Sequence, residues 1–346
     1  MAKLQNAILN ALFLGLHELA PLDTPKDSVV FLRAMYHPEL SDMAKSTAFQ
    51  LEQSFAPYAN QLQERGLSVS PEKITPSQPV QRVLFAATRF NEENLATLAR
   101  AWEMLAPDGW LIAAQHNDLG AKRLDAAMKK IAPNHHVLSK FHCRAVAVQK
   151  TLDTPPEVTQ WLTADAPQPV ADTGLIAAPG MFSWRKIDKG SQLLIDTLPM
   201  SLAGRGADIA AGWGYLSWAI LQQRNQVQNI TLYEAEKRAL DIAQVNLASH
   251  SDACRFVWAD ATRALDNQGQ QYDWAVMNPP AHDMLQSAPE ATVAIFMNAA
   301  KALKAGGKLY IVANRHLPYE RVLDEIFASH LTISETNEFK VIEAVR

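Results

Sequence analysis

Residues 102–148 and 300–346 lie side by side without a gap, and this internal repeat restricts the possible fold more than any other feature of the chain. Leu105 falls on Leu303, Gly109 on Gly307, Leu111 on Leu309, Leu119 on Leu317, Arg123 on Arg321 and Phe141 on Phe339. In both copies a helical pattern ends in a glycine turn, and an apolar strand follows (110–114 and 308–313). A helix and a final pair of strands complete each copy. A gapless match that also keeps the order of elements points to duplication of one fold. Each half as a whole alternates strand-type apolar runs with helical patterns, as a mostly parallel sheet covered on both faces requires. A Pro/Thr/Ala-rich stretch from Thr151 to about Asp172 reads as a linker. The expectation is two domains, 1–160 and 161–346, each an α/β unit whose parallel sheet ends in an antiparallel hairpin.

With 346 residues the chain can bury two cores of ordinary domain size. Its two cysteines, Cys143 and Cys254, lack metal-type spacing and read as reduced thiols of a cytoplasmic protein. No metal site is expected. The apolar run 7–16 is too short to span a bilayer, and Leu4, Ile8, Leu12 and Leu16 recur at helical spacing, so an amphipathic first helix is expected. The net charge of −4 provides no basic domain or tail. Any contact with phosphates would have to come from local clusters, of which Lys122, Arg123, Lys129 and Lys130 form one, and Arg185, Lys186 and Lys189 another.

The two copies differ where chemistry would sit. In the second, the apolar strand 207–211 runs into Gly212, Trp213 and Gly214 ahead of a helix. Such a turn lets backbone approach a ligand and aims the free N–H groups of a helix N-terminus at it. Glu234 ends the next strand, where an acid can accept from both ribose hydroxyls; Asp260 ends the one after, where it can face an adenine amine. Asp208 lies inside the strand, ahead of the turn. Ser217 occupies the third glycine place of a dinucleotide fingerprint, which disfavours NAD. The first copy has no such turn: its strand 29–32 runs into Arg33, Ala34, Met35 and Tyr36.

Asn278, Pro279 and Pro280 follow the fourth strand, 274–277; the matching strand 83–86 is followed by Ala87, Thr88 and Arg89. An exocyclic amine on a conjugated ring is a weak nucleophile because its lone pair is delocalised into the ring. A carboxamide oxygen and a backbone carbonyl accepting from its N–H groups favour the pyramidal amine and free that pair. Two prolines keep the loop rigid and have no N–H to compete for those acceptors. Such chemistry needs neither a metal nor a covalent enzyme intermediate.

On these residues the second half resembles the class I S-adenosylmethionine-dependent amino-methyltransferases with an Asn-Pro-Pro motif. More narrowly it is similar to the RsmC group of small-subunit ribosomal RNA guanine-N2 methyltransferases. The narrowing rests on Pro179-Gly180-Met181-Phe182-Ser183, on Asp188-Lys189-Gly190-Ser191-Gln192-Leu193-Leu194, on the run Asn278 to Asp283, and on Phe339-Lys340-Val341. That group also carries an inactive N-terminal copy, so the resemblance covers nearly the whole chain. It implies two tandem Rossmann-like class I methyltransferase domains, the first degenerate and serving substrate binding or folding, the second catalytic. The substrate would be a guanine N2 amine in ribosomal RNA, free or in an assembled subunit, flipped out of its stack.

The resemblance assigns S-adenosylmethionine to Asp208, Ala210, Gly212, Gly214, Glu234, Asp260, Ala261 and Asn278. It assigns the guanine amine to Asn278 with Pro279 and Pro280, and substrate contacts to Phe182, Ser183, Arg185, Ala281 and His282. Two departures stand out. Ala210 and Ala211 replace Gly-Cys before the turn, placing a methyl group close to the cofactor's path. Ala281 replaces an aromatic that stacks on the flipped base; such stacking is worth ~1–3 kcal/mol, and Trp213, Phe182 or His282 would have to replace it. A monomer without membrane attachment is expected. Two other readings stay open: the same chemistry on another amine (large-subunit RNA, protein or a small molecule), and a non-catalytic RNA-binding assembly factor.

Overall fold

The computed structural model describes residues 2–22, 28–132, 134–279 and 289–346. The chain divides into two compact units, Met1–Ala166 and Pro167–Arg346.

The first unit opens with α1 (Ala2–Leu19), in which Ile8, Leu12 and Leu16 are buried as their spacing predicts. Strands β1 (Ser28–Leu32), β2 (Ala48–Glu52), β3 (Val69–Ser70), β4 (Val80–Ala86) and β5 (Leu105–His116) follow, then the hairpin β6 (His135–Lys140) and β7 (Cys143–Gln149). Between them lie α2 (Pro38–Met43), α3 (Ala56–Gln63), α4 (Asn91–Met104) and α5 (Ala121–Ile131). The sheet order is β3-β2-β1-β4-β5-β7-β6, parallel except for β7, which runs antiparallel to both its neighbours. Side chains alternate between the two faces of β1: Val29 and Phe31 join the core under α1, and Val30 and Leu32 join the core under α4 and α5. The stretch expected to link the domains carries α6 (Pro156–Trp161), whose Val158 and Trp161 are buried in that second core. These two apolar residues, one helical turn apart, find cover on the first unit, so the division falls after Ala166.

The second unit begins with a short hairpin, β8 (Gln168–Pro169) and β9 (Ile176–Ala177), and then α7 (Lys189–Thr197). Its strands are β10 (Gly204–Ile209), β11 (Val227–Glu234), β12 (Cys254–Trp258), β13 (Tyr272–Met277), β14 (Leu303–Asn314), β15 (Ser329–Glu335) and β16 (Phe339–Val345). Helices α8 (Tyr215–Gln223), α9 (Lys237–Asn246), α10 (Pro289–Ala302) and α11 (Glu320–Ile326) complete it. The order β12-β11-β10-β13-β14-β16-β15 repeats that of the first sheet strand for strand. Leu194, Leu216, Ile220 and Leu240 fill one face, and Phe296, Tyr319 and Leu323 the other. Each unit is thus a three-layer Rossmann-like domain with an antiparallel edge hairpin.

Strand pairing tests the repeat residue by residue. β5 and β14 occupy the same twelve positions of the gapless match. Gly109 and Gly307 do the same work: a Cβ on either would lie 2.9 Å from the carbonyl oxygen three residues earlier, Ala106 or Lys304. The final hairpins break the match. Leu111 pairs with Val148 but Leu309 pairs with Ala344, so the first copy holds two extra residues before its last strand. Phe141 is therefore not the partner of Phe339. It sits in the β6–β7 turn, and Cys143 holds the place of Phe339. The longer α5, eleven residues against seven in α11, lies in the segment where the copies diverge.

Both cysteines are free thiols. Among the described residues no helix is long and apolar enough to cross a membrane.

Candidate functional site

β10 and β13 are the neighbours at which the strand order reverses, the place where an open α/β sheet leaves a crevice at the carboxyl ends of its strands. Gly212 follows β10, Glu234 ends β11, Asp260 follows β12 and Asn278 follows β13. Four of the predicted residues thus stand at one edge, on adjacent parallel strands.

The turn after β10 is built from three left-handed residues, Ala210 (φ 62), Gly212 (φ 57) and Gly214 (φ 89). Ala211 N–H donates to the Tyr233 carbonyl (3.1 Å) and Gly214 N–H to the Ala211 carbonyl (3.0 Å), which fold the chain back into α8. The two glycines differ in purpose. A Cβ on Gly214 would press on Ala243 of α9 and on Leu247 just past its end, whereas one on Gly212 would meet nothing within 4 Å. Gly212 borders open space, as a residue flooring a ligand site should. Ala210 adopts the left-handed region without being glycine, at a cost of order 1 kcal/mol.

Glu234 spans this turn and the next. Its Oε2 accepts from Gly212 N–H (2.7 Å) and its Oε1 from Glu236 N–H (2.8 Å). Each oxygen keeps a lone pair for a further donor, such as a ribose hydroxyl. Burial raises its pKa, against the backbone donors, which favour the anion. Asp208 is wholly buried, and its Oδ2 accepts from Ser217 N–H (3.1 Å) and Ser217 Oγ (2.7 Å) at the start of α8. Its Oδ1 is buried and has no hydrogen-bond partner among the described residues. Desolvation pushes its pKa up to about 7, opposed by Ser217 and helped by the charge of Glu234. Asp208 fastens the turn to α8 and has no exposed surface. Asp260 is largely occupied: Oδ1 accepts from Thr262 N–H (2.9 Å) and Oγ1 (2.6 Å), and Arg263 Nε lies 3.6 Å from Oδ2. Ala261 is fixed by Asn298 of α10, which donates to its carbonyl (3.1 Å).

Asn278 is half-buried. Its Nδ2 donates to Asp188 Oδ2 (3.1 Å) and to Ser191 Oγ (2.8 Å). A carboxylate only accepts, so the nitrogen must face it, and this fixes the carboxamide flip. The oxygen Oδ1 receives no hydrogen bond from any described residue. Asp188 also caps α7, accepting from Ser191 N–H (2.8 Å). Sequence reasoning had seen this block only as a family signature and gave Asp188 and Ser191 no role. An aspartate three residues before a serine does suggest a helix start. Nothing local links it to Asn278, 90 residues away.

Phe182 is 64% exposed, so it is not a core residue. Its carbonyl accepts from Trp213 Nε1 (2.9 Å), which ties its loop to the glycine turn. Trp213 itself is buried, and its carbonyl accepts from Asn246 (2.8 Å). Ser183 is left-handed (φ 50) and its hydroxyl donates to the Lys186 carbonyl (2.9 Å). Arg185 lies over the Trp184 ring at 4.3 Å. Pro279 is buried; Pro280, Ala281 and His282 lie outside the described residues. Of the basic clusters, Lys122, Arg123, Lys129 and Lys130 are exposed on α5, and Lys189 pairs with Glu338 (3.1 Å).

The strand registers show what the first unit holds at the same places. Phe31 takes the place of Asp208, Arg33 of Ala210, Gln53 of Glu234 and Ala86 of Asn278. This moves the match for Asn278 one residue back from Ala87. The backbone is retained at the start of the turn: Arg33 is left-handed (φ 55) like Ala210, and Ala34 N–H donates to the Glu52 carbonyl as Ala211 does to that of Tyr233. The carboxylates and the carboxamide are not.

Residues 172–343 match the model of the methyltransferase small domain family. The chain is 35% identical over 175 residues to the ribosomal RNA small subunit methyltransferase C of Proteus mirabilis, covering 51% of each chain. It is 31% identical over 230 residues to that of Photorhabdus laumondii, covering 66% of each. The match to the first of these spans about half its length. Over 97% of this chain and 92% of the other, the fold matches a T. thermophilus 16S rRNA N2 methyltransferase (RsmC) in complex with AdoMet and guanosine, with a TM-score of 0.80 at 20% identity. The second unit carries the methyltransferase small domain, and the chain resembles ribosomal RNA small subunit methyltransferases C over half to two thirds of its length.

Proposed function

We propose that the second unit transfers a methyl group from S-adenosylmethionine to the exocyclic N2 amine of a guanine in small-subunit (16S) ribosomal RNA. The reading is carried by one observation: the Asn278 carboxamide is held by its nitrogen, leaving its oxygen without a donor among the described residues, at the edge where Gly212 opens onto empty space. The names of the similar proteins supply the substrate class.

The residues present fit the cofactor. Gly212 and the N-terminal turn of α8 offer backbone to it, Glu234 has lone pairs for the ribose hydroxyls, and Ala261 and Asp260 border the adenine side. Asp208 serves by holding the turn. The cofactor supplies an electrophilic methyl group on a sulfonium. Asn278 Oδ1 and the Pro279 carbonyl accept the two N–H groups of the guanine amine and release its lone pair from the ring. The methyl group would pass from the sulfonium to that nitrogen lone pair, the old bonding pair staying on sulfur, and the nitrogen would then release one proton. Phe182, exposed and tied by its carbonyl to Trp213, stacks on the base in this reading, since Ala281 offers no aromatic ring; Ser183 fixes the loop and Arg185 lends charge. The first unit serves as a substrate-binding or folding partner, and the protein works as a cytoplasmic monomer on rRNA or an assembled ribosomal subunit.

The test is transfer of labelled methyl from S-adenosylmethionine to small ribosomal subunits lacking the modification, with nucleoside analysis of the product. N2-methylguanosine made by the wild type and absent with Asn278→Ala is the expected result. Label on another nucleoside or on protein, or no label, would overturn the reading.

A further inference from the structure

An N-cap needs one acceptor for the first N–H groups of its helix, and Asp188 already provides it through Ser191 N–H. The same oxygen, Oδ2, also accepts from Asn278 Nδ2, and the Ser191 hydroxyl oxygen accepts from that nitrogen as well. Ser191 is buried, at 6% exposure, so this small network works in poor solvent, where electrostatic contacts are strong. Its position is enforced from outside. Gly190 lacks a Cβ that would lie 3.0 Å from Asp188 Oδ2 and 3.1 Å from the Phe339 ring. The Phe339 ring can therefore pack against the first turn of α7.

We infer that Asp188 and Ser191 are positioning residues for Asn278, orienting its carboxamide and polarising it so that Oδ1 accepts more strongly from the substrate amine. The inference rests on the functional reading above and deepens it. A negative charge hydrogen-bonded to the amide nitrogen favours the resonance form with its charge on oxygen, and charge-assisted hydrogen bonds are about twice as strong as neutral ones. Asp188 acts through Asn278 and touches neither substrate nor cofactor. Ser191 supplies the second acceptor that fixes the plane of the amide.

Asp188→Asn separates this role from capping, because asparagine caps helices as well as aspartate does but carries no charge. In the full chain, Asp188→Asn is expected to keep its melting temperature and its affinity for S-adenosylmethionine while kcat on undermodified subunits falls ~10-fold at unchanged KM. Asp188→Ala should lose the same rate and also melt earlier, and Ser191→Ala should lose rate less severely. Asp188→Asn with wild-type kcat, beside an inactive Asn278→Ala, would show capping alone and overturn the inference. A second readout needs no turnover. The side-chain amide resonances of Asn278, assigned by their loss in Asn278→Ala, should move in Asp188→Asn. Resonances that stay put overturn the inference even if the wild type transfers no methyl, an outcome that would separately sink the functional reading.

Discussion

At the scale of single residues, the glycine turn shows both what a sequence discloses and what it hides. Gly212, Gly214, Glu234 and the Asn278-Pro279 pair could be read directly, because a glycine between strand and helix and polar groups at strand ends have local causes. Asp208 could not be read from local pattern: only the family resemblance implies that it holds the loop, and its burial and its bonds to Ser217 show how it does so. That burial has a measurable consequence. Folded Asp208 holds its proton to about pH 7, whereas its unperturbed value is 3.8. Between these values the folded chain binds more protons than the unfolded one, so this group makes stability fall as pH rises through the window, by about 1.4 kcal/mol per pH unit at most, and level off above it. Asp208→Asn keeps an acceptor for Ser217 and should flatten that slope; denaturant melts from pH 4 to 8 measure it, and an unchanged slope would contradict the assignment. Ala210 makes a second case. Ala210→Gly relieves a left-handed alanine (φ 62), partly offset by a more flexible unfolded chain. It should raise stability by roughly 0.5 kcal/mol and tighten cofactor binding, since it also clears a methyl group from the turn. Loss of stability on chemical denaturation would show that the conformation carries no strain.

At the scale of elements, the repeat was readable wherever the strands impose a register. β5 and β14 coincide because both bury alternate residues on two faces and both need a glycine where a Cβ would strike a carbonyl. The hairpins after them drifted by two residues, and a gapless comparison has no means of seeing that. Edge hairpins tolerate changes in the length of the connection before them. Asp188 belongs to this scale too, since only the sheet brings α7 to the end of β13. β10 contains a stricter constraint. Gly206 pairs with Trp274, and a Cβ at Gly206 would lie 2.1 Å from the indole ring, whose Nε1 donates to the Ala203 carbonyl (3.0 Å). Trp274 is almost fully buried and cannot swing away. Gly206→Ala should therefore cost about 3 kcal/mol, read as a lower denaturation midpoint of the second unit. A midpoint within 0.5 kcal/mol of wild type would mean that β10 can shift, roughly the range of a neutral surface change.

At the scale of the whole molecule, one fold was made twice and equipped once. Both sheets have the same strand order and a left-handed residue just after their first strand, but Phe31, Gln53 and Ala86 stand where the second has Asp208, Glu234 and Asn278, the residues that the proposed function uses. Composition could not have shown this, because the charge is spread evenly; the difference lies in a few strand-end positions. The repeat announced two domains, while their division after Ala166 was set by two residues of a short helix finding cover. The central claim, that only the second copy holds cofactor, is tested most directly by calorimetric titration of S-adenosylmethionine into the intact chain. The account predicts a single site per chain, with all binding heat abolished by Glu234→Ala and untouched by Gln53→Ala. Two sites, or heat that survives Glu234→Ala and disappears with Gln53→Ala, would contradict it.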